Sequence, residues 1–175
     1  MVQGLGDRVA LLGPDAVSLG GSEYLWTLHR KLAGPLAPLD LAVELAVQGA
    51  CRAAIDARLV GSAHDCAEGG LAVALAEACV SSPAPLGAEV ELTAADGPAA
   101  LPLFGEGPSR IVVSVAAEAQ RHFERLMGEF AVPWRWIGRV GGDRLVIRLG
   151  PSVVVSLAVD RIEHAWRNGF ERLVG

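Results

Sequence analysis

The segment 69–79 constrains the fold more than any other part of the chain. It carries a single charged side chain, Glu77, among glycine, alanine, valine, leucine and cysteine. A helix of this composition has no polar face to turn towards water, so protein must cover it on nearly all sides. At 175 residues, with 51% apolar and 20% charged residues, the chain has enough apolar material to provide that cover. We therefore expect a single domain over 1–175.

Charge and hydropathy exclude several classes of protein. The chain has 15 Lys+Arg against 20 Asp+Glu, a formal net charge of -5, and shows no basic stripe of the kind that binds duplex nucleic acid. No apolar run reaches the roughly 18 residues that a membrane helix needs. The N-terminus also lacks the charged and then apolar pattern of a signal peptide. We predict a soluble, cytoplasmic protein that binds neither nucleic acid nor membrane.

The cysteines and the lysine exclude two further kinds of site. Cys51, Cys66 and Cys79 form no C-x-x-C pair, so neither a disulfide framework nor a cysteine zinc site is indicated, and we expect each to be a small buried residue. Lys31 is the one lysine of the chain and lies outside any glycine-rich phosphate motif. This observation argues against an autonomous nucleotide hydrolase.

Hydrophobic periodicity predicts an α/β (α+β) domain with a mixed sheet and helices packed on one side of it. The β-branched runs predict strands at 8–12, 88–92, 110–115, 134–140, 144–149 and 153–159. Helices are predicted just after Ser22, over 39–59, over 118–130, and after Asp160 as N-cap. The last helix is predicted to have one apolar face, formed by Ile162, Trp166, Phe170 and Leu173, and an ion pair of Glu163 with Arg167 across one turn. The polar stripe of 39–59 is thin, which indicates that protein covers most of that helix. Gly141-Gly142-Asp143 predicts a hairpin turn, and 83–85 and 94–102 are expected to be loops.

The segment 64–70 precedes the apolar helix with two acidic residues and two glycines. A helix N-terminus attracts phosphate. Asp65 and Glu68 would repel that phosphate unless a divalent cation bridged the carboxylates and the phosphate. The functional hypothesis is a magnesium and phosphate site. The alternative is that Asp65 or Glu68 caps the helix while Gly69 and Gly70 allow close packing. The residues alone leave both open.

Two further loops carry ligand-binding potential. The loop 104–110 offers glycines and the Ser109 hydroxyl beside Glu106 and Arg110, which suits a polar ligand, although an ordinary loop with solvated charges has the same composition. Gly20 and Gly21 with Ser22 could likewise cradle an anion at a helix start. An ordinary Ser22 N-cap explains that second loop nearly as well. His64 is expected to be a satisfied structural histidine, unable to form a triad-type pair with Asp65.

Five blocks in this order carry a family resemblance. They are the segments 7–13 (DRVALLG), 19–24 (LGGSEY), 63–77 (AHDCAEGGLAVALAE), 103–106 (LFGE) and 110–115 (RIVVSV). Together they resemble the C-terminal domain of the PurL synthetases, the phosphoribosylformylglycinamidine synthases of purine biosynthesis, within the aminoimidazole ribonucleotide synthetase-like superfamily. The resemblance covers essentially the whole chain and implies one domain of a longer multidomain enzyme.

That resemblance implies an activity for the larger enzyme. The family uses ATP and Mg²⁺ to activate the amide oxygen of formylglycinamide ribonucleotide, and ammonia from a glutaminase subunit then replaces it. A small accessory subunit and the upstream domains of the synthetase are the further partners implied. The catalytic histidine and most ATP and magnesium contacts lie upstream in the family, so the isolated chain is expected to be inactive.

The resemblance also implies candidate site residues. By the internal pseudo-symmetry of the family, Asp65 matches a magnesium-binding aspartate, and Glu106 keeps one position of a substrate-contacting Glu-Ser-Gln segment. Glu68 and Gly107 depart from the usual family residues, which favours an auxiliary site that in some relatives holds a structural nucleotide. The implied nucleotide or phosphate ligands are Gly20, Gly21, Ser22, Asp65, Gly69, Gly70, Glu106 and Ser109. Alternatives are a packing module without ligand, or the equivalent domain of a sibling synthetase.

Overall fold

A seven-stranded mixed sheet forms the centre of the molecule. The computed structural model describes residues 4–82, 84–93 and 98–174, with side chains as far as residue 169. The strands are β1 (Arg8–Leu12), β2 (Ser62–Asp65), β3 (Ala88–Leu92), β4 (Ile111–Val115), β5 (Trp134–Val140), β6 (Arg144–Leu149) and β7 (Ser152–Ala158). Their order across the sheet is β2-β4-β1-β5-β3-β6-β7. Each neighbouring pair is antiparallel except β3 and β6, which are parallel.

Helices separate the first five strands along the chain, whereas β5, β6 and β7 follow one another without a helix between them. The helices are α1 (Glu23–His29), α2 (Leu41–Asp56), α3 (Gly70–Val80), α4 (Ala100–Phe104), α5 (Gln120–Glu129) and α6 (Val159–Val174), with a 3-10 turn at Ala117–Ala119 before α5. The α/β (α+β) class and the mixed sheet are confirmed, and the predicted strands match within one residue. The sequence prediction missed β2, a short and largely polar edge strand. It also missed α4, because a loop was predicted over 94–102. Residues 94–97 of that predicted loop, and Pro83 of the loop predicted over 83–85, lie outside the described residues.

The predicted hairpin at Gly141-Gly142-Asp143 is wrong. Strands β5 and β6 flank this turn in sequence, yet β3 lies between them in the sheet. The turn instead holds the start of β3: the Gly141 N–H donates to the Gly87 carbonyl at 2.8 Å, and the Gly87 N–H donates to the Gly142 carbonyl at 2.9 Å. A side chain on Gly87 would lie 2.2 Å from the Arg144 carbonyl oxygen. The glycines therefore open a turn wide enough to admit a third strand.

Helices cover both faces of the sheet, and the expectation of one covered face is corrected. Alternate residues of β1 belong to two separate cores: Val9 and Leu11 to one, Ala10 and Leu12 to the other. The first core includes residues of α3 and α6, and the second includes residues of α2 and α5. Because side chains alternate along a strand, a strand that is apolar at every position requires cover on both faces.

The ends of two helices differ from their predictions. Helix α2 begins with Asp40 as N-cap, whose Oδ1 accepts the N–H of Ala42 at 2.9 Å, and it ends at Asp56 rather than 59. Asp160 is not an N-cap, because β7 continues directly into α6 at Val159 and places Asp160 inside the first turn. The predicted Glu163–Arg167 ion pair forms at 2.8 Å. The side chains of Phe170 and Leu173, predicted for the apolar face of α6, lie outside the described residues.

The cysteines are buried and unpaired, as expected for small core residues. Burial raises the pKa of Cys51, and it raises the pKa values of Cys66 and Cys79 to about 11. Where the structure describes the chain, none of its helices has the length and apolar character that crossing a lipid bilayer would require.

Candidate functional site

The carboxylate of Glu106 joins the starts of two helices. Its Oε1 accepts the N–H of Gly69, just before α3, at 2.8 Å and the N–H of Glu23, the first residue of α1, at 2.9 Å. The main chain of Glu106 is itself fixed, because it exchanges two hydrogen bonds of 2.9 Å with Ser18. The loop 104–110 thus reaches across to the segment before α1 and to the start of α3. Three segments far apart in sequence meet at one carboxylate.

At the start of α3, the acceptor for the Gly69 N–H comes from a residue distant in sequence. The N-cap of α3 is Gly69, which has no capping side chain, so the expectation that Asp65 or Glu68 caps this helix is wrong. The negative group that a helix N-terminus favours is supplied from within the chain by Glu106. The N–H groups of Gly69 and Glu23 therefore already have an acceptor.

The double glycine before α3 is required by the backbone and by close packing. Gly69 and Gly70 have φ of 78° and 67°, in the left-handed region that disfavours side chains. A Cβ on Gly70 would lie 2.7 Å from the carbonyl oxygen of Gly105. The expectation that these glycines allow close packing is confirmed, and the close approach brings the 104–110 loop to the helix.

The Gly20-Gly21-Ser22 segment forms the N-cap of α1. The Ser22 hydroxyl donates to the Leu19 carbonyl at 2.6 Å and accepts the N–H of Leu25 at 3.4 Å. The main chain of Gly20 packs so closely on the following loop that a Cβ would lie 2.2 Å from the Pro35 carbonyl oxygen. The ordinary N-cap is thus confirmed. Anion binding by these three residues stays a prediction.

Asp65 lies at the rim of an acidic cleft of about 500 Å³. The titratable residues lining this cleft are Glu23, His64, Asp65, Glu68 and Glu77. The Asp65 side chain is 75% exposed, and no group of three or more metal-ligating side chains converges within the described part of the chain. Asp65 offers one accessible carboxylate, so a bound Mg²⁺ would need most of its ligands from elsewhere.

His64 is satisfied within the fold, as expected. Its Nδ1 lies 2.8 Å from the main-chain carbonyl oxygen of Asp65, and its Nε2 lies 3.2 Å from Glu77 Oε2. The Asp65 carboxylate is 3.9 Å from Nδ1, too far for a hydrogen bond. The pair is therefore not arranged as in a catalytic triad.

A second cavity, of about 510 Å³, shares Asp65 and Ala67 with the first cleft and is also lined by residues 107–111. Its polar lining side chains are Glu44, Gln48, Asp65, Ser109 and Arg110. The Ser109 hydroxyl donates to Glu44 Oε2 at 2.5 Å, and Gln48 Nε2 donates to Glu44 Oε1 at 2.5 Å. Ser109 has a φ of 62°, a left-handed conformation that is uncommon for serine. We call this space the Arg110 cavity.

The sequence analysis placed Arg110 in a loop that suits a polar ligand but did not include it among the candidate site residues. The residue surface of Arg110 is 5% exposed, and its Nε and Nη1 atoms are buried without a hydrogen-bond partner among the described residues. Burial lowers the pKa of this guanidinium. The alternative of a loop with solvated charges is wrong for Arg110, which is buried, whereas Glu106 is half-buried with its Oε1 engaged by two N–H groups. The signal for this burial that the sequence did contain is the position of Arg110 directly before the apolar strand 111–115.

The structure brings most of the predicted site residues together. Glu106 contacts Gly69, Gly70 packs on Gly105, and Asp65 lines the same cavity as Ser109. Gly20, Gly21 and Ser22 lie at the start of α1, which Glu106 also contacts through Glu23. Ligand binding by these residues stays a prediction.

Comparison with known proteins gives concordant results. The PurL subunit of phosphoribosylformylglycinamidine synthase from Synechococcus sp. (strain JA-3-3Ab) is 50% identical over 160 residues, 87% of this chain and 21% of that protein. The corresponding subunit from Moorella thermoacetica is 44% identical over 169 residues, 97% of this chain and 23% of that protein. The chain therefore spans between a fifth and a quarter of the length of these relatives.

Solved structures share the fold. Thermotoga maritima PurL in complex with FGAR superimposes with a TM-score of 0.74 at 18% identity, covering 93% of this chain and 28% of that one. The ATP complex of the same protein gives a TM-score of 0.70 at 17% identity, covering 93% of this chain and 26% of that one. The family described as AIR synthase related protein, C-terminal domain, matches residues 4–150. The chain therefore belongs to the family of AIR synthase-related C-terminal domains.

Proposed function

We propose that this chain is the C-terminal domain of a PurL-type phosphoribosylformylglycinamidine synthase. The observation that carries the proposal is the 50% identity over 87% of the chain with the Synechococcus PurL subunit. The aligned part extends over 160 residues, which is most of the chain. On this proposal the chain is one domain of a longer cytoplasmic enzyme and is inactive alone.

The reaction of the complete enzyme is the conversion of formylglycinamide ribonucleotide to the amidine, driven by ATP. When bound, Mg²⁺ would neutralise the phosphates of ATP, and ammonia from glutamine would replace the amide oxygen. The T. maritima relative has been solved with ATP, ADP and AMPPCP, which supports a nucleotide in this family of enzymes. Its structure as a PurLQS assembly supports the glutaminase and small accessory subunits as partners.

The part assigned to this chain is one wall of an auxiliary nucleotide or phosphate cleft. The proposed wall residues are Gly20, Gly21, Ser22, Asp65, Gly69, Gly70, Glu106 and Ser109. Asp65 would give one carboxylate to Mg²⁺, and its exposure of 75% leaves it accessible to ligands from neighbouring polypeptide. Glu106 would act as a positioning residue, because it holds the starts of α1 and α3 at fixed places along the cleft.

An exposed apolar surface supports packing against further polypeptide. Seven large apolar side chains between residues 26 and 45 are exposed: Trp26, Leu28, Leu32, Leu36, Leu39, Leu41 and Leu45. An apolar patch of this kind marks an interface more often than a free surface. Since the relatives are four to five times longer than this chain, we assign this leucine surface to the upstream domains of the synthetase.

A second candidate function is that of a packing module without a ligand. The observation in its favour is that Glu106 already accepts the N–H groups of Gly69 and Glu23, which a phosphate at the helix starts would otherwise use. Titration calorimetry of the chain with ATP and Mg²⁺ separates the two candidates. Measurable heat that disappears in Asp65→Asn supports the cleft, whereas no heat with either protein supports the packing module.

The synthetase assignment is tested by a domain exchange. The homologous segment of the Synechococcus PurL subunit is replaced by this chain, and the chimera is expressed in a bacterium that lacks its own phosphoribosylformylglycinamidine synthase. We expect growth without added purine, and a truncation that ends before the domain serves as control. A chimera that folds and assembles but does not convert the substrate would contradict the assignment.

A further inference from the structure

Ser109 has a backbone conformation that serine rarely adopts. Its φ of 62° lies in the left-handed region, where a side chain crowds the main chain and glycine is the usual residue. Its main-chain carbonyl also lies close to the end of β1, since a Cβ on Gly13 would be 1.7 Å from that oxygen. Such a conformation persists only where the surrounding structure holds it. Some contact must therefore keep Ser109 in place.

The contact that holds the Ser109 side chain comes from α2. The Ser109 hydroxyl donates to Glu44 Oε2 at 2.5 Å, and Gln48 Nε2, one turn further along α2, donates to Glu44 Oε1 at 2.5 Å. Each oxygen of the Glu44 carboxylate thus has a donor, which fixes the direction of this side chain. Hydrogen bonds to a carboxylate are stronger than those between neutral groups. Glu44 is therefore suited to hold a strained residue.

Side-chain packing does not replace this hydrogen bond. The Arg110 cavity is lined by α2, through Glu44, Val47 and Gln48, and by residues 107–111. Part of α2 therefore faces the 104–110 loop across open space. Within the described residues, the bond from Ser109 to Glu44 is the one hydrogen bond that joins α2 to this loop. The position of Ser109 relative to α2 thus depends on a single side chain.

The loop that Glu44 holds also carries Glu106. The Glu106 carboxylate accepts the N–H groups of Gly69 and Glu23, at the starts of α3 and α1. Two residues, Gly107 and Pro108, separate Glu106 from Ser109, and proline has a fixed φ. A connection this short and stiff passes a displacement of Ser109 on to Glu106.

We propose that Glu44 is a positioning residue for the cleft. It holds Ser109 in the left-handed conformation and thereby keeps Glu106 at the starts of α1 and α3. Ser109 and Glu106 are two of the wall residues in the proposed function, so this inference deepens that proposal and rests on it. Glu44 acts through Ser109 and is not assigned a contact with the ligand.

Hydrogen exchange of the Gly69 and Glu23 amides tests this role. Amides of β1, in the centre of the sheet, report global unfolding, so the ratio of the two rates removes any general loss of stability. We expect Glu44→Ala to raise this ratio about tenfold or more, since a hydrogen bond to a carboxylate is lost. Glu44→Gln keeps an acceptor for the Ser109 hydroxyl and should restore most of the protection.

Asp40→Ala is the matched control. It removes the N-cap of α2 and leaves the Glu44 contact in place, so the ratio should stay that of the parent chain. An effect of Asp40→Ala equal to that of Glu44→Ala would mean that general stability of α2 is responsible, and would overturn the inference. If Glu44→Ala folds poorly, Ser109→Ala removes the same hydrogen bond from the loop. An unchanged ratio in either Glu44→Ala or Ser109→Ala would also overturn the inference.

Calorimetry with ATP and Mg²⁺ distinguishes a failure of this inference from a failure of the proposed function. Where the parent chain binds, Glu44→Ala should weaken the apparent affinity about tenfold, whereas Asp40→Ala should not change it. Equal affinities of the parent and Glu44→Ala would contradict the positioning role. An absence of heat with the parent would remove the cleft, and the exchange ratios would still decide whether Glu44 positions Glu106.

Discussion

Helices α2 and α3 are built from similar residue types but have different surroundings. Both are dominated by alanine, leucine and valine, and both were expected to be covered by protein. Leu71 at the start of α3 is 1% exposed, whereas Leu45 on α2 is 71% exposed. Helix α3 lies among α4, α6 and the sheet. Helix α2 buries one face, including Val47, Ala50 and Ala54, and leaves its leucines at the surface.

The difference shows what an apolar helix does and does not specify. A helix without a polar face must be covered, but the sequence does not say by which protein. Helix α3 is covered by its own chain. We propose that other polypeptide covers the leucine surface, which includes part of α2, in line with relatives of four to five times the length.

The largest effect is expected for Leu71→Ala in α3. Removing a buried leucine side chain leaves a cavity and should lower the free energy of unfolding by about 2–5 kcal/mol. Urea unfolding followed by circular dichroism measures this change. A loss below about 0.5 kcal/mol, the range of surface substitutions, would show that α3 is no better covered than α2.

Alkaline pH should destabilise the fold through Cys79 of α3. Burial raises the pKa of its thiol from 9.0 to about 11, so between those values the unfolded chain loses a proton that the native chain keeps. Stability is therefore full below pH 9 and falls as the pH rises to about 11, on the order of 2 kcal/mol for this group. Unfolding curves at pH 8 and pH 11 measure the slope. It should be smaller in Cys79→Ala, and an unchanged slope would contradict the assigned burial.

Glu106→Ala should weaken the start of α3 and the start of α1 together. It removes the acceptor of the Gly69 and Glu23 N–H groups, and we expect a loss of about 2 kcal/mol. Glu106→Gln keeps an acceptor oxygen without the charge and should lose less. Hydrogen exchange of the two amides measures the local effect. Unchanged protection in Glu106→Ala would show that the bridging contact does not hold the helices.

Asp40→Ala should have a smaller effect, confined to α2. The Asp40 carboxylate caps the N–H groups of Ala42 and Val43, and loss of an N-cap costs about 1 kcal/mol. Asp40→Asn, which retains a capping oxygen, is the matched control. Equal losses in both variants would indicate that the charge rather than the cap stabilises α2.

The smallest effect is expected for Leu45→Ser. Since Leu45 is exposed, the stability of the chain should change by less than about 0.5 kcal/mol. In the domain-exchange chimera the same substitution should reduce assembly with the upstream domains, as measured by limited proteolysis of the junction. If the Leu45→Ser chimera resists proteolysis as well as the unsubstituted chimera, the leucine surface is not an interface with the upstream domains.

Much of the local structure could be predicted because it rests on local patterns. The strands at 8–12 and 134–140 are β-branched or aromatic runs, and Ser22 carries its own signal as an N-cap. The hairpin at Gly141-Gly142-Asp143 failed because a turn signal does not say whether the flanking strands pair. The insertion of β3 between β5 and β6 is a long-range choice.

The candidate site likewise has a part that could be predicted from the sequence and a part that could not. The glycine and acidic residues of 64–70 and 104–110 could be recognised as ligand-binding candidates, and they do lie together. That Glu106 would accept the N–H groups of two helices could not be predicted, because its partners are 37 and 83 residues away. The burial of Arg110 was also beyond the sequence, since charged residues are mostly exposed and nothing local marks this one as an exception.

By itself the sequence determined most of the secondary structure, apart from β2 and α4, together with the need to bury α3 and the family resemblance, because propensity, periodicity and motif spacing are properties of neighbouring residues. The tertiary structure alone decided which strands pair, which apolar helix is left exposed and which charge lacks a partner. Those outcomes depend on which distant segments exclude water from one another, and no short stretch of residues contains that information.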